Sequence, residues 1–268
     1  MSVLTRKVVW GLLASAAITN GAVAQQPASK LSPIKTIVPQ TSPQATQRSV
    51  DPLGTMLAEA KTAYGAIRDY TCVFTKQERI KGVLSGEQVA EMKVRIKPYS
   101  VAIRYARPAA IAGMEMNYMS SSKLGKMLYR PAGAKGLNGA QYVALDDPKI
   151  LAENRHPITQ LGVGALIDRL GLVVSREGSM RNPVEVYTAD YQFAGRNVTR
   201  YEIFTRRPHL YRYAYLIVVC VDKETKLPVR IEAYDAPRSG QTTGELIEAH
   251  SYSNLKLNVG LGDSAFNR

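Results

Sequence analysis

The feature that most constrains the fold is an alternation of apolar and polar side chains that recurs from residue 70 almost to the C-terminus. Between residues 90 and 96, Ala, Met, Val and Ile alternate with Glu, Lys and Arg, and a period of two is typical of a half-buried strand. Further strands are predicted at 70–75, 101–105, 114–118, 124–129, 184–187, 192–193, 198–204, 211–221, 227–234 and 245–257. So many consecutive strands favour an antiparallel sheet that curls and closes or half-closes into a barrel.

Helical periodicity interrupts this pattern in two places. The first helix is predicted to start at Asp51-Pro52, an N-cap acid followed by a proline, and to continue through apolar residues at helical spacing. A second helix is predicted within residues 157–170, where the apolar face is interrupted by Gly162 and Gly164. Each glycine costs about 1 kcal/mol relative to Ala in a helix interior, so this element is expected to pack loosely or to move.

The N-terminus has the pattern of an export signal. Arg6 and Lys7 precede an apolar run at residues 8–18, and Ala-Val-Ala at residues 22–24 supplies a cleavage site. The run is shorter than the roughly 18 apolar residues that a transmembrane helix needs. Residues 1–24 are therefore predicted to be a signal peptide, and the mature protein to be soluble and periplasmic; an uncleaved anchor is the alternative.

The remaining chain divides into a linker and one domain. Residues 25–50 are rich in Pro, Gln and Ser and have no sustained apolar period, so they are predicted to form a flexible linker. Residues 51–268 are long enough to bury one sizeable core and are predicted to form a single domain.

The chain is strongly basic. Its 35 Lys and Arg against 22 Asp and Glu give +13, and removal of two basic residues with the signal leaves 33 − 22 = +11. An anionic membrane surface or an acidic envelope protein is a possible partner, and a general role in solubility is the alternative. No nucleic-acid partner is predicted, because a binding motif is lacking. The basic surface is assigned to Arg206, Arg207 and Arg212, although this stretch also fits a solvated hairpin loop.

Candidate groups for covalent chemistry are few. Cys72 and Cys220 lie in apolar runs, which leaves both a disulfide and two buried free thiols open. The three histidines lack the spacing of a metal site, and neither a metal nor another cofactor is predicted.

Acid–base residues in a suitable context would indicate an enzyme. The candidates are Glu78, Asp146, Asp147, Glu153 and His156, but their neighbours indicate a strand end, a turn and a loop. The spacings of hydrolase and P-loop motifs are absent. No catalytic residue is therefore assigned, and the protein is predicted not to be an enzyme.

Several segments carry a family resemblance. They are Tyr-Thr-Cys-Val-Phe-Thr at 70–75, Val-Arg-Ile-Lys-Pro at 94–98 leading into 101–105, the segments 118–124 and 128–131, and the hairpin 221–235. Together they resemble the LolA/LolB-like superfamily of lipoprotein carriers. The segments 69–70, 76–79, 227–230 and 255–261 are more closely similar to an uncharacterised family of exported bacterial proteins within it, a domain of unknown function.

The resemblance implies an α+β fold in which the curved antiparallel sheet is an unclosed half β-barrel, with helices on or near its concave face. It also implies that the second helix serves as a lid. Lys97 stands where the carrier has the arginine that helps to latch this lid, and it lacks the planar fork of a guanidinium. The lid candidates are Lys97, Leu161, Leu166 and Leu170.

A curved sheet with one apolar face either fills its concavity with side chains or leaves room for a ligand. The candidate ligand-binding residues on that face are Phe74, Met92, Val94, Ile103, Met114, Met116 and Tyr118. The predicted ligand is a lipid acyl chain or a lipidated protein, bound without catalysis. A protein-binding regulatory or sensor module of the cell envelope is the alternative, and an exported hydrolase is less favoured.

Overall fold

A computed structural model describes residues 51–122, 124–179, 184–205 and 213–267, without the side chains of residues 178 and 179. Across these residues the backbone forms one antiparallel sheet of 12 strands and three α-helices. The strands are β1 Asp69–Ile80, β2 Val83–Leu84, β3 Gln88–Arg95, β4 Ser100–Arg107, β5 Glu115–Met119, β6 Met127–Arg130, β7 Gln141–Val143, β8 Glu185–Phe193, β9 Arg196–Phe204, β10 Leu216–Asp222, β11 Pro228–Tyr234 and β12 Leu246–Leu257. The helices are α1 Pro52–Gly65, α2 Pro148–Leu151 and α3 Val163–Ser179, and 3-10 turns lie at Ala109–Ile111, Gly133–Asn138, Ile158–Gln160 and Asp263–Ala265.

The strand order is β7-β6-β5-β4-β3-β1-β12-β11-β10-β9-β8, and β2 pairs with β1 outside this path. Because β7 and β8 lie at opposite ends of the order, the sheet is not closed. The prediction of an unclosed antiparallel barrel is confirmed. The N-terminal strands β1–β7 and the C-terminal strands β8–β12 are joined by the β1–β12 pair. In this pair Phe74 faces Tyr252 and Lys76 faces His250.

Several strand boundaries differ from the prediction. The two short strands expected at 184–187 and 192–193 are one continuous strand, β8, which turns at Ala194 and Gly195 with positive φ angles of 49° and 76°. The strand expected at 124–129 begins at Met127, because Leu124 is exposed and precedes a left-handed Gly125. The short strands β2 and β7 were not predicted, since neither is long enough to show an alternation.

The first helix forms as its sequence predicts. The Asp51 carboxylate accepts a hydrogen bond of 3.0 Å from the Leu53 backbone N–H, and Pro52 occupies the first turn, where its missing donor costs nothing. One face of α1 is buried, through Leu53, Met56, Leu57 and Ala60. This face contributes to the main apolar core.

The second helix starts later and extends further than predicted. Residues 158–160 form a 3-10 turn, and α3 follows after Gly162, whose φ of +97° favours glycine. A Cβ atom at Gly162 would lie 2.6 Å from the Tyr70 hydroxyl, and one at Gly164 would lie 2.5 Å from that of Tyr64. The expectation of loose packing was wrong, because these glycines permit close contact with two tyrosines.

The face of the sheet that packs with α1 and α3 is here called the inner face. Its apolar residues form one buried cluster with both helices. The inner face therefore corresponds to the concave face of the prediction, and the candidate functional site lies on it.

Candidate functional site

The apolar part of the inner face contains the residues predicted to bind a ligand. Phe74, Met92, Val94, Ile103 and Met116 are buried, whereas Met114 and Tyr118 are partly buried and pack against them. Strand register explains this grouping, because Cys72, Met92, Ile103 and Met116 face one another across β1, β3, β4 and β5.

The leucines predicted to belong to a lid lie in the same cluster. Leu161, Leu166 and Leu170 are buried and pack in the apolar core of the inner face. In this structure these three leucine side chains therefore occupy the space over the strands. Ligand binding by these residues stays a prediction.

Two tyrosines tie the start of α3 to the sheet. The Tyr99 hydroxyl donates a hydrogen bond of 2.9 Å to the Leu161 carbonyl, and the Val163 N–H donates one of 2.8 Å to the Tyr70 hydroxyl. The predicted latch residue, Lys97, is exposed two residues before Tyr99. Sequence reasoning missed both tyrosines, since nothing in the local pattern shows which hydroxyl reaches the start of α3.

A second, polar part of the inner face follows on the same two strands. Lys76 and Glu78 continue β1 beyond Phe74, and Glu248 and His250 lie opposite them on β12. All four are buried. With Asn154, Arg155, His156 and Arg169 they are here called the polar cluster.

Glu78 is surrounded by donors. It accepts hydrogen bonds from Lys76 Nζ at 3.0 Å and from the Arg155 backbone N–H at 3.1 Å, and His250 Nε2 lies 2.8 Å from its other oxygen. Lys76 Nζ also donates to Asn154 Oδ1 at 2.5 Å. Glu78 therefore binds both strands to the loop that precedes α3.

Glu248 contacts more residues of the loop before α3 and of α3 itself than Glu78 does. Arg155 Nε lies 3.2 Å, His156 Nε2 2.6 Å and Arg169 Nη1 3.0 Å from its carboxylate oxygens. The Tyr213 hydroxyl donates to the same carboxylate. A single buried carboxylate thus holds the loop and α3 to β12.

The pKa values follow from these contacts. Burial alone would raise the pKa of Glu78, but the hydrogen bond from His250 and the charge of Lys76 hold it well below its usual range. Burial opposes ionisation of Glu248 as well, yet His156, His250 and Arg169 lower its pKa from 4.5 to about 2. Burial lowers the pKa of Lys76, and the neighbouring Tyr105 and Glu78 more than compensate, so that it is raised overall.

The polar cluster resembles a metal site in its ligand atoms but not in its charge. Oxygen and nitrogen atoms of Glu78, His156 and Glu248 lie within 4.8 Å of one another. However, these two carboxylates already face Lys76, Arg155 and Arg169. A divalent cation would add to an excess of positive charge, so the arrangement suits ion pairing better than metal binding.

Two of the acid–base candidates meet in this cluster, although the sequence placed them at a strand end and in a loop. Glu78 and His156 both belong to it, and each carboxylate oxygen of Glu78 already has a hydrogen-bond partner. Asp147 instead caps α2, accepting from the Lys149 N–H at 2.9 Å. Asp146 and Glu153 are exposed and outside the cluster.

The two cysteines are free and buried in the part of the chain that the structure describes. Burial raises the pKa of both thiols, that of Cys220 to about 12. Both behave as small apolar side chains rather than as nucleophiles.

A groove of about 490 Å³ opens where α1, α3 and the β3–β4 turn meet. Its floor is apolar, with Tyr64, Ile67, Ile96 and Ile167, and its charged lining comprises Lys61, Arg68, Asp69, Arg95, Lys97 and Asp168. Lys97 therefore lines this groove. The residues predicted to form a basic surface, Arg206, Arg207 and Arg212, lie outside the described residues, as do the predicted signal peptide and linker.

Comparison with known proteins identifies the family. A family model described as "Protein of unknown function (DUF1571)" matches residues 67–268. The chain belongs to this family. The predicted relation to a family of unknown function is confirmed, and no curated protein matches the chain.

Solved structures similar to this DUF1571 member have low sequence identity. They include the lipoprotein LppX of Mycobacterium tuberculosis, with 11% identity, coverage of 80% of this chain and 99% of that chain, and a TM-score of 0.45. A LolA superfamily protein of Nitrosomonas europaea has 11% identity, covers 81% and 97%, and has a TM-score of 0.31. MucB, solved in complex with MucA, has 12% identity, covers 81% and 59%, and has a TM-score of 0.47.

Among the described residues, no helix is both long and apolar enough to cross a membrane.

Proposed function

We propose that this protein is an exported envelope carrier that binds a lipid, or the acyl chain of a lipidated polypeptide, on the apolar part of its inner face. The proposal rests on one observation, which is the way in which a helical segment covers this face. The segment 154–179 is here called the lid segment. Its leucines pack on the apolar strands. Hydrogen bonds with the Tyr70 and Tyr99 hydroxyls and ion pairs in the polar cluster attach the same segment to the sheet.

The two kinds of contact suit opening and closing. Apolar contacts are non-directional, so an acyl chain can replace the leucines at little cost, and each buried CH₂ contributes about 0.8 kcal/mol. Ion pairs are directional and re-form in one arrangement. A lid held in this way returns to the same closed position after ligand exchange. No covalent step is needed, and the protein is proposed to be non-catalytic.

The first test is native mass spectrometry of the chain from residue 25 onward, purified from an exporting bacterial host. We expect an added mass that dissociates as a phospholipid or a lipidated peptide. A clean ligand-free mass that persists after incubation with phospholipid vesicles would overturn the carrier.

The lid assignment is tested by Leu166→Ala, with Leu227→Ala as the matched control. Both leucines are buried in the same cluster, but only Leu166 lies on α3. Each substitution costs about 2–5 kcal/mol of stability. We expect Leu166→Ala to release bound lipid at least about tenfold faster than Leu227→Ala at a temperature where both are folded. Equal release rates would contradict the lid.

A protein-binding role in the envelope is the second candidate, and the edge strand β8 favours it. Among the described strands β8 pairs only with β9, and Tyr187 and Tyr191 are exposed along it. Such an edge can accept an extended peptide as a further strand. A ligand-free protein that captures a peptide, with loss of capture on Tyr187→Asp, would favour this role over the carrier.

A further inference from the structure

We infer that the groove beside the lid segment binds the phosphate-bearing headgroup of an anionic lipid, and that the acyl chain enters the inner face from there. The inference rests on the proposed carrier function and names its substrate class. It is carried by the composition of the groove and by its position.

The groove lies at the boundary of the lid segment. Its lining comes from the end of α1, the segment leading into β1, the β3–β4 turn and the first half of α3. Ile67 and Ile167 belong both to the groove floor and to the main apolar cluster. Outward movement of α3 would therefore join the groove directly to the apolar inner face.

Two charged side chains of the groove lining are bonded to another part of the protein. The Asp69 carboxylate accepts the Gly260 N–H at 3.0 Å and the Leu261 N–H at 3.2 Å. Arg95 Nη1 lies 2.6 Å from Asp263 Oδ1, and the guanidinium lies over the Phe266 ring. Both side chains are thus used to hold the C-terminal segment.

Three exposed cations remain, Lys61, Arg68 and Lys97, and within the described part of the chain none of them forms a salt bridge. Against them stands one exposed carboxylate of the lining, Asp168, so the available charge is 3 − 1 = +2. An apolar floor with a cationic rim complements an amphiphile with a negative headgroup. A volume of about 490 Å³ is in the range of small-ligand sites.

The test compares single-chain amphiphiles below their critical micelle concentration, by calorimetry, on the chain from residue 25 onward. The probes are lysophosphatidylglycerol, which is anionic, and lysophosphatidylcholine of the same chain length, which is zwitterionic. We expect the anionic probe to bind about tenfold or more tightly, with an affinity that falls as salt rises. Equal affinities for the two probes would overturn the inference.

The decisive variant is the triple substitution Lys61→Gln, Arg68→Gln and Lys97→Gln. We expect it to bind the anionic probe as weakly as the zwitterionic one. The matched control is Lys126→Gln, Lys135→Gln and Lys149→Gln, three exposed lysines outside the groove, which removes the same charge. An equal loss in both variants, or in neither, would contradict a site in the groove. Displacement of the lipid by equimolar inorganic phosphate would also overturn it, because the site would then hold a free anion.

Failure of this inference is distinguishable from failure of the carrier. If lipid co-purifies with the protein and the groove variant retains it unchanged, the groove assignment is wrong and the carrier stands. If neither probe binds and the purified protein carries no lipid, both are wrong. A photoreactive group on the acyl carbons next to the headgroup reports where the chain enters. We expect labelling near Ile67 and Ile167, and labelling confined to other surfaces would contradict the proposed path.

Discussion

The apolar part and the polar cluster of the inner face lie on the same strands. They contact the same lid segment, one through apolar packing and the other through hydrogen bonds and ion pairs. On β1, Phe74 belongs to the apolar part and Lys76, two residues later, to the polar cluster. Phe74 stacks on Tyr252 with ring centroids 5.4 Å apart, and it meets His250 edge-on at the same distance. The apolar part stabilises the lid by buried area, which does not depend on one arrangement of partners. The polar cluster depends on its arrangement, because separation leaves charges buried and unpaired.

The largest effect is expected where the apolar part is broken. Phe74→Ala removes a fully buried ring and should lower the free energy of unfolding by about 4 kcal/mol. Urea unfolding measures the change, and Leu172→Ala, at an α3 side chain that is 59% exposed, is the control with little expected effect. We expect Phe74→Ala to destabilise the whole domain without selective opening of the lid segment. A loss below about 1 kcal/mol would contradict a packed inner face.

A smaller but more local effect is expected from Glu248→Gln. The substitution keeps the shape of a side chain with no exposed surface and removes the charge that faces Arg155, His156 and Arg169. We expect a loss of about 3 kcal/mol, at the lower end for a broken buried pair because Arg155 remains partly solvated.

Hydrogen exchange separates this variant from the first one. Amides of residues 154–170 should exchange faster in Glu248→Gln, while those of β10 and β11 change less. Glu224→Gln, at an exposed pair with Arg196, is the control. Uniform acceleration across the sheet would mean that the polar cluster does not act on the lid segment in particular.

The smallest expected effect is the dependence of stability on pH. The pKa values of Glu78 and Glu248 are lower in the folded protein than the ordinary 4.5. Their contribution is therefore fully present above the unfolded pKa and is lost as pH falls toward the folded values. Between pH 7 and pH 4 each carboxylate should account for a loss on the order of 1 kcal/mol, and the loss should continue toward pH 2.

Urea unfolding at pH 7, 5 and 4 measures this slope. Leu172→Ala should keep the slope of the unsubstituted protein, because this exposed side chain lies outside the polar cluster, and Glu248→Gln should make the slope shallower. An unchanged slope in Glu248→Gln would show that the polar cluster does not contribute to acid sensitivity.

The apolar part of the site was predictable and the polar cluster was not. Alternation places Met92, Val94 and Ile103 on one face of their strands, and burial on that face follows. The same alternation continues from Phe74 to Lys76 and Glu78, so their inward direction was a usable signal. Their charge favoured a solvated strand end instead, because buried charges are rare without partners.

The partners of those charges come from distant parts of the chain. His250 is 172 residues from Glu78, and the two meet only because β1 pairs with β12. Arg169 reaches Glu248 only because α3 lies across the inner face. Neither pairing has a local signal.

By itself, the sequence determined the strand-rich architecture, the N-cap of α1, the apolar side of each strand and the family, because these depend on periods of two or four residues and on short motifs. Only the tertiary structure decided that Leu161, Leu166 and Leu170 pack on the inner face, that Tyr70 and Tyr99 form hydrogen bonds with the start of α3, and that four charged strand residues form a buried cluster. The physical reason is the distance along the chain over which each feature is determined. Side-chain alternation depends on neighbouring residues, whereas these hydrogen bonds and ion pairs depend on which distant segments meet in space.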